Sequence, residues 1–455
     1  MQINRDFGQK EPDLYLPVIG TSLINLGLLL ESQKENHNAS QLFEEALQIY
    51  RQLVKKNPDK YMPVLAMSLN VFGNFLQRQN EMSAARQSFE EALSINRKLA
   101  GNDPDVYLPA VAETLNNLGL LSHNQNDIIA AKQAFEEELL IYRRLADKNP
   151  DVYLLTLASG LNNIGNLLRD ENELNSAKLA YEEALSINRR LSEKNPDIYL
   201  PEVAMILNNL GNLLHDQNEM NTAKQAFEEA LLIYRKVAEK NPGEHKLSVA
   251  ANLINLGNLL YDLNELDSAK KAFDESLQIY RQFSVTNQDE CLPHMVTVLD
   301  HLGNLLLINN EIIDAKQAFD EALQIRRQLA GKYPDEYLPE LSATLNNYGN
   351  WLMTINDLSG AKKAFLESLQ IYQQLAENEP DPFNLGVCGA DINLGLLDEQ
   401  LLIATRNMSL TKEGLELMQD AEERLAIFPD EHPQVQEYWP YIERLTYFFN
   451  NFNQD

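Results

Sequence analysis

The apolar positions of this chain return in phase every 46 residues, and the smallest of them fix the register. Glycine stands at Gly27, Gly73, Gly119, Gly165, Gly211, Gly257, Gly303, Gly349 and Gly395. Leucine lies four residues before it from Leu23 through Leu345, until Asp391 breaks the column. Twelve residues after the glycine comes alanine, from Ala39 to Ala361, and four further on an aromatic: Phe43, Phe89, Phe135, Tyr181, Phe227, Phe273, Phe319 and Phe365. Three beyond the aromatic the residue is Ala or Ser, with Glu138 as the exception in the third period. Spacings of three and four gather such residues on one stripe of a helix. The pattern therefore predicts two helices per period, the small and aromatic stripe of the second facing the glycine of the first. Glycine in mid-helix costs about 1 kcal/mol against alanine, so its return in every period implies a neighbour too close to leave room for Cβ.

Prolines with the same period mark the unit boundaries: Pro12, Pro58, Pro104, Pro150, Pro196, Pro242, Pro334 and Pro380, with Gln288 breaking the series. In Lys194-Asn195-Pro196-Asp197 the proline biases its predecessor away from helix, and the Asp is expected to cap the next helix start. Tyr15, Tyr61, Tyr107, Tyr153, Tyr199 and Tyr337, three residues after the prolines, are expected to be apolar spacers between units. Corners such as Gln217-Asn218-Glu219 are polar and suit a tight turn. A fixed period of this size is the signature of a stacked repeat array.

These columns resemble the tetratricopeptide repeat, with Leu and Gly in a first helix and Ala, aromatic and Ala in a second, across residues 12–379. The family's ordinary unit has about 34 residues, and most of the extra length here lies in the second helix, which gains roughly two turns. Such elongated units are most similar to the repeats of kinesin light chains and their prokaryotic relatives, a likeness strengthened by Leu-Asn-Asn-Leu-Gly at Leu115 to Gly119 and Leu207 to Gly211. The resemblance implies an all-α, right-handed superhelical solenoid of antiparallel helix pairs, with the first helices forming its inner wall. It divides the chain into an N-terminal tail (1–11), eight 46-residue repeats (12–379), a degenerate ninth repeat with an insertion near Thr405 to Ser409 (380–432) and a C-terminal capping helix (433–455). Sliding seven residues past the insertion recovers the register as Gly414, Met418 and Ala421, and the proline returns at Pro433. Of the last helix's aromatics, Tyr438, Trp439, Tyr441, Tyr447 and Phe449 are expected to cover the final repeat, with a peptide-docking patch as the alternative.

Charge narrows the partners. A formal net charge of -29 opposes nucleic acid and anionic membranes, whose phosphates need clustered Lys and Arg. The two cysteines, Cys291 and Cys388, supply neither a disulfide framework nor a thiolate metal site, which suits a reducing, cytoplasmic setting. No apolar run is expected to reach the ~20 residues of a membrane span. No phosphate loop, His-x-x-x-His helix or Gly-x-Ser-x-Gly turn occurs, so neither catalysis, nor a cofactor, nor a metal is expected. Acid pairs on the second helices, Glu44-Glu45 through Asp320-Glu321, are expected to form an acidic outer ridge that keeps the array soluble and monomeric.

Function must then reside in the groove that the resemblance implies, where first-helix residues three and two before the glycine and one after it take an extended or helical peptide. Those positions are rich in asparagine: Asn70, Asn74, Asn116, Asn117, Asn162, Asn163, Asn166, Asn208, Asn209, Asn212, Asn255, Asn258, Asn304, Asn346, Asn347 and Asn350. A carboxamide carries both donor and acceptor and can bracket a peptide N–H and C=O whatever the side chains are. The same asparagines can equally hydrogen-bond to the adjoining repeat. Specificity is expected where repeats differ, at Arg78, His123, Arg169, Asp170, His215, Asp216, Asp300 and His301. The reading is a non-catalytic protein-binding scaffold; the alternatives are a regulatory or sensor subunit of a separately encoded effector enzyme, and a self-assembling structural array.

Overall fold

The structure, a computed structural model, describes residues 12–429 and 432–452; the expected N-terminal tail lies outside them. Nineteen α-helices and no strand occur among the described residues. They are α1 (Pro12–Ser32), α2 (Asn36–Lys56), α3 (Pro58–Arg78), α4 (Met82–Asn102), α5 (Pro104–Asn124), α6 (Ile128–Lys148), α7 (Pro150–Asp170), α8 (Leu174–Lys194), α9 (Pro196–Asp216), α10 (Met220–Lys240), α11 (Pro242–Asp262), α12 (Leu266–Ser284), α13 (Gln288–Ile308), α14 (Ile312–Lys332), α15 (Pro334–Thr354), α16 (Leu358–Asn378), α17 (Pro380–Thr405), α18 (Ser409–Leu425) and α19 (Pro433–Asn451). Odd-numbered helices through α17 open on the prolines or on Gln288, as the 46-residue period requires. The chain forms two compact units, Met1–His245 and Lys246–Asp455, and in each a helix packs on its predecessor and its successor.

The glycine column acts as the sequence predicts. A Cβ placed on Gly211 would lie 2.6 Å from the Phe227 ring, and on Gly165 2.6 Å from the Tyr181 ring. Both rings are fully buried. In the ninth unit Met418 takes the place of the aromatic, 2.7 Å from a Cβ on Gly395. Phe449 of α19 packs against Gly414, while Tyr441 and Tyr447 face outward.

Helix ends differ from expectation in one respect. The N-cap is the residue before the proline, Asn57 or Asn195, with proline at the first helical position; Asn57 accepts a bond from the Lys60 N–H. The aspartate thus sits inside the first turn, where it meets the positive end of the helix dipole and a lysine at the end of the partner helix. Asp105 pairs with Lys148 at 2.5 Å and Asp151 with Lys194 at 2.7 Å. Each hairpin corner is closed by a residue with φ near 60°: Lys34 first, then Asn80, Asn126, Asn172, Asn218, Asn264, Asn310 and Asn356, and Arg406 in the ninth unit. Asparagine tolerates this left-handed conformation better than other residues with a Cβ, apart from aspartate, and turns the chain without a glycine.

The acidic ridge is half neutralised. The second acid of successive pairs meets an arginine from the second helix of the preceding repeat: Arg51–Glu91, Arg97–Glu137 and Arg143–Glu183 at 2.6 Å, Arg189–Glu229 at 2.7 Å, Arg281–Glu321 at 2.5 Å. The first acid of these pairs, such as Glu90 or Glu136, remains exposed. The expectation about apolar runs also needs correction. Leu14–Ser32 and Gln288–Ile308 are long and apolar enough to cross a membrane by length and composition, with mean hydropathy 1.5 and 1.3. A first helix in a stack meets both its own partner and the neighbouring repeat, so its apolar stripe widens; 56% of the Gln288–Ile308 segment is buried in this way.

Candidate functional site

In the first unit the asparagines of the first helices form a ladder between repeats. Asn163 on α7 donates its Nδ2 to Asn116 Oδ1 on α5, and Asn209 on α9 donates to Asn162 Oδ1 on α7, both at 2.9 Å. Asn70 on α3 donates to Thr114 Oγ1 at 2.9 Å. Asn70 and Asn162 are buried by this arrangement. Asn74, Asn117, Asn166, Asn208 and Asn212 stay partly exposed along the same helices. Asn166 accepts the Tyr181 hydroxyl at 2.6 Å, and Asn117 keeps a buried Nδ2 without an acceptor.

Charged residues beside the ladder are spent on one another. Arg78 binds Glu31 at 2.7 Å, His123 binds Asp170 at 2.9 Å and Arg169 binds Asp216 at 2.5 Å, each pair joining consecutive first helices. His215 is partly buried and engaged as well. The residues singled out for specificity in this unit thus also fasten repeats together.

Asn209→Ala would strand the buried Oδ1 of Asn162, an orphaning that costs roughly 1–3 kcal/mol. We expect a lower thermal midpoint by circular dichroism, and an unchanged midpoint would mean that the ladder carries no stability.

In the second unit Asn255 and Asn258 are partly exposed on α11. His301 on α13 stacks on Phe273 at 5.5 Å and an interplanar angle of 7°, and burial pushes its pKa down, which keeps the imidazole neutral near pH 7. Asp300 is held by Arg326 Nη2 at 2.9 Å; burial raises its pKa and the guanidinium opposes that shift. Asn346 is partly buried with an Oδ1 that has no donor, whereas Asn304, Asn347 and Asn350 are exposed.

Between α13 and α15 a cleft of about 490 Å³ opens, lined by Asp300, Asn304, Asn347 and Asn350 together with Phe319, Tyr348 and Trp351. Phe319 belongs to the aromatic column, but Tyr348, Trp351 and Arg326 were not singled out from the sequence. Their signal was column departure: Arg326 stands where Tyr50, Asn96, Tyr142, Asn188, Tyr234, Tyr280 and Tyr372 stand in other repeats, and Tyr348 and Trp351 where Leu210 and Leu213 stand in the fifth. No group of three or more metal-ligating side chains occurs among the described residues.

Sequence models described as Tetratricopeptide repeat match residues 19–59, 65–105, 111–151, 157–197 and 296–335, and a further one residues 202–282. Together they span more than half of the chain. The chain belongs to the tetratricopeptide repeat family. Tetratricopeptide repeat proteins are generally non-catalytic scaffolds of protein–protein interaction. No curated protein matches the sequence.

Solved structures similar to this tetratricopeptide protein include BtubC (BKLC) from P. vanneervenii, 23% identical over 55% of this chain and 92% of that one, with a TM-score of 0.46. The apo form of RapI is 16% identical over 69% and 99%, with a TM-score of 0.47. A putative kinesin light chain from Podosopora anserina with nearly identical repeats is 12% identical over 48% and 95%, with a TM-score of 0.37.

Proposed function

We propose that this tetratricopeptide protein is a non-catalytic scaffold that takes a peptide or helical segment of a partner protein along the first-helix faces within its units. The observation that carries the reading is the column one residue after the glycine, Asn74, Asn166, Asn212, Asn258, Asn304 and Asn350, whose side chains keep exposed surface beside a ladder whose inter-repeat bonds Asn163 and Asn209 make. Carboxamides so placed offer a partner's backbone a donor and an acceptor at six repeats, with Leu28 and Leu120 at this position in the first and third. Both cysteines are free and buried, and burial raises both thiol pKa values, which favours an inert role in a reducing, cytoplasmic setting.

Replacing Asn74 and Asn212 with alanine tests this, because both lie outside the inter-repeat bonds of the ladder, whereas Asn166 is kept because it holds the buried Tyr181 hydroxyl. Quantitative affinity purification should show at least about a tenfold loss of the partners captured by the unaltered protein, the effect of losing one or two net hydrogen bonds. The melting temperature should stay nearly unchanged. Undiminished capture by the folded variant would remove the groove reading.

A further inference from the structure

The junction of the seventh and eighth repeats breaks the ladder, and the break has a chemical cause. In the first unit Asn163 and Asn209, each two before a glycine, donate to the residue three before the preceding glycine, Asn116 and Asn162. The corresponding pair here is Asn347 and Asp300. Among the described residues no hydrogen bond joins them. Arg326 has drawn Asp300 toward itself at 2.9 Å and also binds Glu340 of α15 at 3.2 Å. Asn347 is thereby released to the surface.

The space between these repeats reaches deeper than elsewhere. Phe43, Phe89, Phe135, Phe227 and Phe365 have no exposed surface, but Phe319, the same residue of the seventh repeat, is partly exposed and lines the cleft. Trp351 stands 5.4 Å from Phe319 and 5.4 Å from Tyr348, so three rings form its inner wall. Its rim carries Asp300 and the exposed carboxamides of Asn304, Asn347 and Asn350.

None of the lining residues is basic. Behind them one arginine faces two carboxylates, so Asp300, Glu340 and Arg326 together keep a negative charge. Aromatic faces attract a desolvated cation, guanidinium above all, because it can stack and donate at once. Carboxamide and carboxylate oxygens accept from such a group.

We propose that the cleft between α13 and α15 seats a basic side chain, arginine or lysine, of the partner segment, stacked against the aromatic wall and donating to Asp300, Asn304 and Asn347. This rests on the groove reading and adds to it: carboxamides elsewhere engage backbone, and this one junction selects a residue type. The protein's net charge of -29 draws basic segments toward it over a longer range.

The test pans a random dodecapeptide library against the full-length protein and measures the enriched peptides by fluorescence anisotropy, each beside an analogue with its basic residue changed to glutamine. Enriched peptides should share an Arg or Lys, and the glutamine analogue should bind about tenfold more weakly. That difference should shrink several-fold in Trp351→Leu, which restores the residue of other repeats, and also in the surface variant Asn347→Ala, which leaves the core untouched. Enriched peptides without a common basic residue, or a glutamine penalty that survives both variants, would overturn the inference while leaving the groove reading standing. If the library yields no binder at all, both fall.

Discussion

Glu138→Ala is expected to make the protein more stable, by about 2 kcal/mol at pH 8, although it removes contacts from the core. Every other full repeat carries Ala or Ser at this position, and Glu138 is buried with an Oε2 that has no partner. Burial pushes its carboxyl pKa up from 4.5 to about 8. Burial is the cause of this shift, with no cation to offset it. In the unfolded chain the group ionises from about pH 4.5, while in the folded protein it keeps its proton until about pH 8. The unfolded state therefore gains stability across that window and the folded state does not. Stability falls as pH rises from about 4.5 to about 8, with a ceiling of about 5 kcal/mol; the cavity left by alanine takes back roughly 1–3. Urea unfolding at pH 5 and pH 8 checks this: the native protein should lose stability between the two, and Glu138→Ala should lose markedly less. Equal pH dependence of the two proteins would show that Glu138 is solvated or paired. Gly160 sets a further condition, since a Cβ there would lie 2.9 Å from Glu138 Oε1. Gly160→Ala should destabilise the native protein and be tolerated beside Glu138→Ala, because the glycine and the glutamate share one space.

The largest loss is expected from Phe227→Ala. The ring is fully buried, and truncating such a residue costs about 3–5 kcal/mol. Gly211→Ala alone should cost about 1–3 kcal/mol, even though alanine is the better helix former by about 1, because its Cβ meets the ring at 2.6 Å. Combined as Gly211→Ala with Phe227→Leu, the two should recover part of the loss, as residues in contact do. Urea midpoints give the energies, and native-state hydrogen exchange should show the opening concentrated in α9, α10 and the helices beside them, since a repeat contacts only its neighbours. Additive losses would mean that glycine and ring do not share a contact.

Helix pairs, their boundaries and the meeting of Gly211 with Phe227 were legible because each follows from a spacing within one repeat. Partners across repeats were not. Asn209 reaches Asn162 over 47 residues, Arg143 reaches Glu183 over 40 and Lys178 reaches Glu219 over 41. None of these steps is 46, because each depends on how one pair lies against the next. A column in the sequence gives the face on which a side chain stands but not the neighbour it meets. That is why Glu183 read as part of an open ridge and Asn162 as a groove residue. The cleft was hidden for another reason. Asp300 was singled out as a departure, but its consequence depended on Arg326, 26 residues away on the next helix, turning inward to take it.

The arginine–glutamate pairs bear on how such a chain changes length over generations. Each arginine finds its acid in the following repeat, and the next repeat presents the same arginine again. Duplicating or deleting a whole unit by unequal crossing-over in the second to fifth repeats would therefore leave no charge of this series unmatched. At the seventh repeat the inward Arg326 binds Asp300 of its own repeat and Glu340 of the next, so this junction is inherited intact or lost.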